Sequence, residues 1–210
     1  MQLLQETPWN FVGYDEVAIK ATASAVLGLY NITKPEKIQV IERLLKTFKL
    51  TTEKFNTGAA LNDSQLYTVV YCYIRSRLPH LESQEGRRIS GALVFDKQGT
   101  GKTRSLLCVL VLLMDDMDDK EAEKGCLILT PKPAVSCSWK NEASIMFKER
   151  DMVYVSDDHS GLGAAFRKPD GCKIVACPYI HFARMNKRMR TSVETGRTPM
   201  VVQVRIYYTQ

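Results

Sequence analysis

Apolar positions along this chain change their period once, near Gly91. Before that point they recur every three or four residues, as in Val17, Ala21, Ala25 and Leu29, and again in Ile38, Val40, Ile41, Leu44, Leu45 and Phe48. Both series predict amphipathic helices. The tetrapeptide Thr33 to Glu36 reads as a capping box, with Thr33 as N-cap and Glu36 as its reciprocal partner. A third helix is expected in LNDSQLYTVVYCYIRSRL, capped by Asn62 or Asp63, with Leu66, Val69, Val70, Tyr73 and Ile74 facing inward. The polar stretch His80 to Ser90 ends it. From Gly91 onward, short apolar runs alternate with helical segments. Strands are expected at Ala92 to Phe95, Cys126 to Leu129, Met152 to Val155 and Ile174 to Cys177, with a last one at Val201 to Tyr208. Helices are expected at Lys102 to Met114, Trp139 to Phe147 and Tyr179 to Arg190. Strands separated by helices imply crossovers and a mainly parallel sheet. The pattern therefore divides the chain into a helical accessory region, 1–60, and an α/β lobe, 61–210.

A hydrophobic content of 45% over 210 residues is enough for an ordinary core. The run Leu106 to Met114 is too short to cross a bilayer and suits a buried helix. Glu6, Asn10 and Asp15 interrupt any signal-peptide order, so no membrane partner and an intracellular location are expected. Six cysteines, Cys72, Cys108, Cys126, Cys137, Cys172 and Cys177, contain no C-x-x-C pair, which argues against zinc and disulfides. A net charge of +6 and a pI near 9.0 suit a nucleic-acid partner and equally an ordinary basic surface.

The segment GALVFDKQGTGKT, Gly91 to Thr103, carries the strongest chemical signal. An apolar strand leads into a short turn and then Gly-Lys-Thr opens an apolar helix. Such a loop holds a nucleotide triphosphate because its amides and the helix N-terminus both face the anion. The candidate nucleotide-binding residues are Asp96, Lys97, Gln98, Gly99, Thr100, Gly101, Lys102 and Thr103. Lys102 would neutralise the β- and γ-phosphates, and Thr103 would give its hydroxyl to Mg²⁺. Gly99 and Gly101 would let the backbone approach closely. The general pattern has Gly where Asp96 stands.

Four elements in order, LNDSQL with Gln65, DKQGTGKT, LILTPKPAVSCSWKNEASIMF and KIVACPYIHFAR, together resemble the first ATPase lobe of the Swi/Snf-like branch of superfamily-2 helicases. That branch has Asp at the start of its loop, as Asp96 is here, although Lys97 stands in place of its usual Glu. Pro131 and Trp139-x-x-Glu142 fit its next element. Pro178-Tyr179 sits where it tends to have Thr-Tyr. Poxvirus-type nucleoside triphosphatases are near relatives with a similar loop. The resemblance implies a RecA-like P-loop lobe with helices flanking the sheet, ATP and Mg²⁺ as cofactors, and DNA, duplex or in chromatin, as partner. It implies that Gln65 reads the adenine edge and that Pro131, Lys132, Tyr179 and Arg184 lie against a nucleic-acid backbone. A nuclear location would follow, or a viral factory or the cytoplasm for a viral protein. For Trp139, packing between helix and sheet is the expectation rather than stacking on a base.

Hydrolysis needs more: a carboxylate to hold Mg²⁺ and a group to orient water. No acidic pair follows Lys173 at the end of an apolar run, so no catalytic residue is assigned. Asp115 and Asp116 end the helix that starts at Lys102, roughly 20 Å from the phosphates at 1.5 Å per residue. Asp157, Asp158 and His159 could follow a strand but read as a solvated turn. The family's second lobe, which would supply arginines across the nucleotide, is not found in these residues. The chain alone is therefore expected to bind ATP and to hydrolyse it poorly. The alternative is a non-catalytic nucleic-acid- or partner-binding module derived from the same fold. An unrelated P-loop kinase or small ATPase is disfavoured by Pro131 and Trp139-x-x-Glu142. The basic run Arg184, Lys187, Arg188, Arg190 and Arg197, against Glu194, reads as a solvated helix face or a phosphate-lining strip.

Overall fold

The structure is a computed structural model and describes residues 9–77, 99–116, 126–131, 135–148, 153–155 and 174–178. These residues are mostly helical and include a small parallel sheet. Four helices lead: α1 (Glu16–Leu27), α2 (Lys34–Thr52), α3 (Asp63–Arg77) and α4 (Lys102–Asp115). Strand β1 (Cys126–Thr130) follows, then a π-helical turn, Val135–Lys140, that runs directly into the short helix α5 (Asn141–Met146). Strands β2 (Val153–Val155) and β3 (Ile174–Pro178) complete the set. The expected strands at Ala92 to Phe95 and Val201 to Tyr208, the helix at Tyr179 to Arg190 and the segment His80 to Ser90 lie outside the described residues.

In the sheet, β3 is central, pairing in parallel with β1 from Cys126↔Ile174 to Thr130↔Pro178, and with the three residues of β2 on its other side. Every residue of β3 is buried, as expected of a parallel strand covered on both faces. Parallel strands need a crossover, and the one from β1 to β2, which skips the place of β3, includes the π-turn and α5. The helix expected at Trp139 to Phe147 thus begins earlier and in a wider turn.

Helix α4 sets the core. Ser105 through Leu113 are all buried, so this helix has no solvent face and must be enclosed on every side. It packs on α2, α3 and α5. Fully burying a leucine such as Leu107, Leu110 or Leu112 contributes about 2 kcal/mol each. Helix α3 meets α4 with the expected face: Leu66, Val69, Val70, Tyr73 and Ile74 are all buried.

Helix α2 starts as expected, with the Glu36 amide donating to Thr33 Oγ1 at 3.4 Å and Pro35 in the first turn. Its buried stripe is Val40, Leu44, Thr47, Phe48 and Thr51; Ile38 is exposed, and Ile41 and Leu45 are half-buried. In α1 the expected stripe is corrected. Val17, Ala21, Ala25 and Leu29 face solvent, while Ile19, Ala23, Val26, Leu27 and Tyr30 are buried. The helix is apolar on two faces, and the buried one carries the larger side chains and so removes more apolar area from water.

The first sixty residues share one core with the later elements. Asn56 N–H donates to Met146 O at 2.7 Å and Lys148 N–H to Lys54 O at 3.0 Å. The Asn56 amide donates to Ile145 O at 2.7 Å and Phe147 O at 3.0 Å. Phe11, Phe48, Phe55, Tyr73 and Phe147 form a chain of aromatic contacts, with ring centroids between 4.4 and 5.9 Å apart. Among the described residues, no helix is long and apolar enough to cross a membrane.

At the C-terminal end of α4, Asp116 accepts from Arg43 Nε at 3.0 Å and Nη2 at 2.9 Å, and from Arg77 Nε at 2.6 Å. Arg77 Nη2 also donates to the Asp116 carbonyl at 2.6 Å. Asp115 accepts from Thr51 Oγ1 at 2.8 Å and pairs with Lys54. Carboxylates at the negative end of a helix dipole are unfavourable alone, and these cations reverse that. Burial pushes the Asp116 carboxyl up, but hydrogen bonds from Arg43, Arg77 and Tyr73 outweigh it and hold it below its ordinary value. A depressed carboxylate stabilises the fold above its unfolded pKa, and that stability is lost as pH falls through the folded value. Asp116→Asn should therefore destabilise the protein by about 2–3 kcal/mol near neutrality. In urea titrations, wild type and variant should converge as the pH drops below about 4.

Candidate functional site

The segment 99–104 is a tight turn feeding α4. Gly99 has φ 85° and Gly101 φ 81°, both in the left-handed region, where a Cβ is disfavoured. Gly101 is the N-cap, its carbonyl accepting from Arg104 N–H at 3.0 Å and Ser105 N–H at 3.3 Å, and it brings no side chain to cap the helix. Lys102 is the first helical residue and Thr103 the second. The N-terminus of this 14-residue helix carries positive potential from its peptide dipoles, and a lysine there adds to it.

Gln65 is brought to this turn from the start of α3. Its Oε1 accepts from Asn62 N–H at 2.9 Å, and Asn62 Oδ1 accepts from Gln65 N–H at 2.9 Å, a reciprocal capping box. Gln65 Nε2 donates to Thr100 O at 3.0 Å. A Cβ on Gly101 would sit 2.1 Å from that Nε2. The α3 start is itself fixed by Tyr14, whose hydroxyl donates to Asp63 at 2.6 Å. Burial and the adjacent carboxylate push this phenol up to about 12, so it remains a donor at neutral pH.

Arg104, in the first turn of α4, pairs with Glu142 of α5 through Nε and donates from Nη1 to Ala60 O at 3.1 Å. Trp139 is fully buried, with its indole N–H donating to Thr130 Oγ1 at 3.3 Å. The indole therefore packs the π-helical turn that precedes α5 against the end of β1. Pro131, half-buried, follows that strand.

Gln65, Gly99, Thr100, Gly101, Lys102 and Thr103 thus occupy one neighbourhood. Asp96, Lys97, Gln98, Lys132, Tyr179 and Arg184 lie outside the described residues, as do Asp157, Asp158, His159 and the basic run from Arg184 to Arg197. Thr103 could give Mg²⁺ one oxygen, but among the described residues no group of acidic, His or Cys side chains is arranged to hold a metal. Asp115 and Asp116, held by cations, sit at the far end of α4, roughly 20 Å from its start at 1.5 Å per residue. Cys72, Cys108, Cys126 and Cys177 are buried thiols that form no disulfide with one another. Burial raises Cys108, and pushes Cys126 to about 11, so both act as small apolar groups.

Arg104 carries no local sequence signal, and nothing along the chain ties it to Glu142. The contact from Gln65 to Thr100 was equally hidden, although Asn62-x-x-Gln65 has the form of a capping box. No protein-family model, no curated protein and no solved structure matches this chain.

The two glycines make separable demands. A Cβ on Gly99 meets nothing within 4 Å, whereas one on Gly101 meets Gln65. Gly99→Ala should cost only the left-handed backbone strain, about 1 kcal/mol. Gly101→Ala should cost about 2–3 kcal/mol, because Gln65 must also abandon Thr100. Denaturant midpoints of the two variants check the difference.

Proposed function

We propose that the chain is an ATP-binding lobe of RecA-like type, related to Swi/Snf-like DNA translocases, with residues 1–60 as a helical accessory region to the lobe from 61 onward. The observation that carries this reading is the turn itself: two left-handed glycines, then Lys102 and Thr103 opening a buried helix. That arrangement suits an anion with several oxygens, because it adds a lysine ammonium to the positive end of the helix. The parallel pairing of β1 and β3 supports it, since open parallel sheets with helical crossovers host such sites.

In this reading the glycines admit the phosphates, Lys102 neutralises them, and Thr103 donates one oxygen to Mg²⁺. With Thr103 Oγ1 as one of its ligands, a bound Mg²⁺ would supply positive charge beside the phosphates. Asp96, Lys97 and Gln98 would continue the loop, and Pro131, Lys132, Tyr179 and Arg184 would face duplex DNA in the nucleus, or in a viral factory. The second reading, a binding module without turnover, draws on the ion pairs of Asp115 and Asp116, which engage both carboxylates in holding α4 to α2 and α3. The second reading keeps the fold, drops turnover and binds nucleic acid or a protein partner.

Titration of a fluorescent ATP analogue with Mg²⁺ tests the site. Lys102→Ala should weaken binding at least about tenfold, the loss of a charge-assisted contact. Equal affinity of the two proteins would sink the assignment. Phosphate release measured with and without duplex DNA then checks the catalytic expectation: the chain should release phosphate poorly in both, and robust turnover would show that it holds a catalytic carboxylate after all.

A further inference from the structure

We infer that Gln65 and Arg104 are positioning residues, a two-point clamp that holds the 99–104 turn in its nucleotide-receptive curl against the start of α3. This inference rests on the nucleotide reading of the turn and gives Gln65 a task other than reading adenine.

The clamp crosses between the same two short segments twice, in opposite directions. From the 60–65 side, Gln65 Nε2 donates to Thr100 O at 3.0 Å. From the 100–104 side, Arg104 Nη1 donates to Ala60 O at 3.1 Å. Between these two bonds lies Gly101, whose left-handed φ of 81° reverses the chain into α4. The first bond ties down the carbonyl just before Gly101, and the second anchors the first turn of the helix just after it. With both flanks held, the peptide planes around Gly101 have little freedom to rotate, so the orientation of the neighbouring amides is set before a ligand arrives. Such pre-ordering removes the conformational cost from binding.

Each clamp residue is itself held. Gln65 Oε1 accepts from Asn62 N–H at 2.9 Å, which fixes the plane of the amide. Arg104 Nε pairs with Glu142, which fixes the guanidinium. The missing Cβ of Gly101 is what allows the Gln65 amide to approach, since a Cβ there would overlap Nε2. An adenine reader must present its amide edge to the base. The Gln65 edge is turned instead onto the capping box and the loop carbonyl.

Two variants test the clamp. Gln65→Glu keeps an oxygen for Asn62 N–H but sets a carboxylate oxygen against Thr100 O. Arg104→Met keeps the aliphatic stem and removes both polar contacts. Affinities of each for ATP, GTP and inorganic tripolyphosphate, all with Mg²⁺, are compared with wild type. The clamp predicts that the three ligands weaken together by about fivefold per variant, the change expected from one ordinary hydrogen bond, with the ATP-to-GTP ratio unchanged. Weakening of ATP alone in Gln65→Glu would make Gln65 an adenine reader and overturn the inference, as would affinities equal to wild type.

Amide hydrogen exchange without ligand gives a second readout, one that stands even if wild type binds none of the three ligands and the nucleotide reading falls. Faster exchange confined to 100–105 supports the clamp. Unchanged exchange, or acceleration spread through the α4 core from Leu106 to Leu113, overturns it.

Discussion

The rest of the structure answers to the burial of α4. A helix apolar around its whole circumference cannot rest against a single surface, because any face left in water would forgo its share of the stabilisation. Helices α2, α3 and α5 therefore close around it. The apolar middle leaves polarity to the two ends. At one end stand Gly101, Lys102 and Arg104, and at the other Asp115 and Asp116, so each end is a polar junction with the elements that surround the helix.

These junctions differ in what they leave available. At the C-terminal end, carboxylates face the negative end of the dipole, and Arg43, Lys54 and Arg77 neutralise them, which fixes α2 and α3 to the helix. At the N-terminal end Gln65 holds the Thr100 carbonyl, Arg104 joins Ala60 and Glu142, and the N-cap is a glycine. A helix N-terminus with a lysine in its first turn suits an anion. An end already neutralised by three cations favours nothing more. The proposed nucleotide site follows from this asymmetry along one helix.

The first sixty residues are part of the same construction. Phe11, Phe48 and Phe55 reach Tyr73 and Phe147 in one aromatic chain, and the 54–56 segment hydrogen-bonds to the end of α5. Helix α2 covers one side of α4, while Ala60 receives Arg104 beside the candidate site. The segment's contribution is therefore mechanical as well as topological: it bounds the helix that the turn opens.

Short-range signals carried much of this. The Thr33 cap, the inward face of α3, the start of α4 at Lys102 and the apolar runs that became β1 and β3 could all be read locally, because each depends on period or on neighbours within one turn. The face of α1 could not. Two apolar stripes compete there, and only packing on α2 and α3 selects the one with Ile19 and Leu27. The candidate site divides in the same way. Gly99, Gly101, Lys102 and Thr103 declare themselves by spacing, since a phosphate turn needs glycines and a lysine at fixed local intervals. The hold of Gln65 on Thr100 and of Arg104 on Glu142 spans 35 and 38 residues of chain. No local period encodes such pairs, so only the enclosure of α4 brought them together.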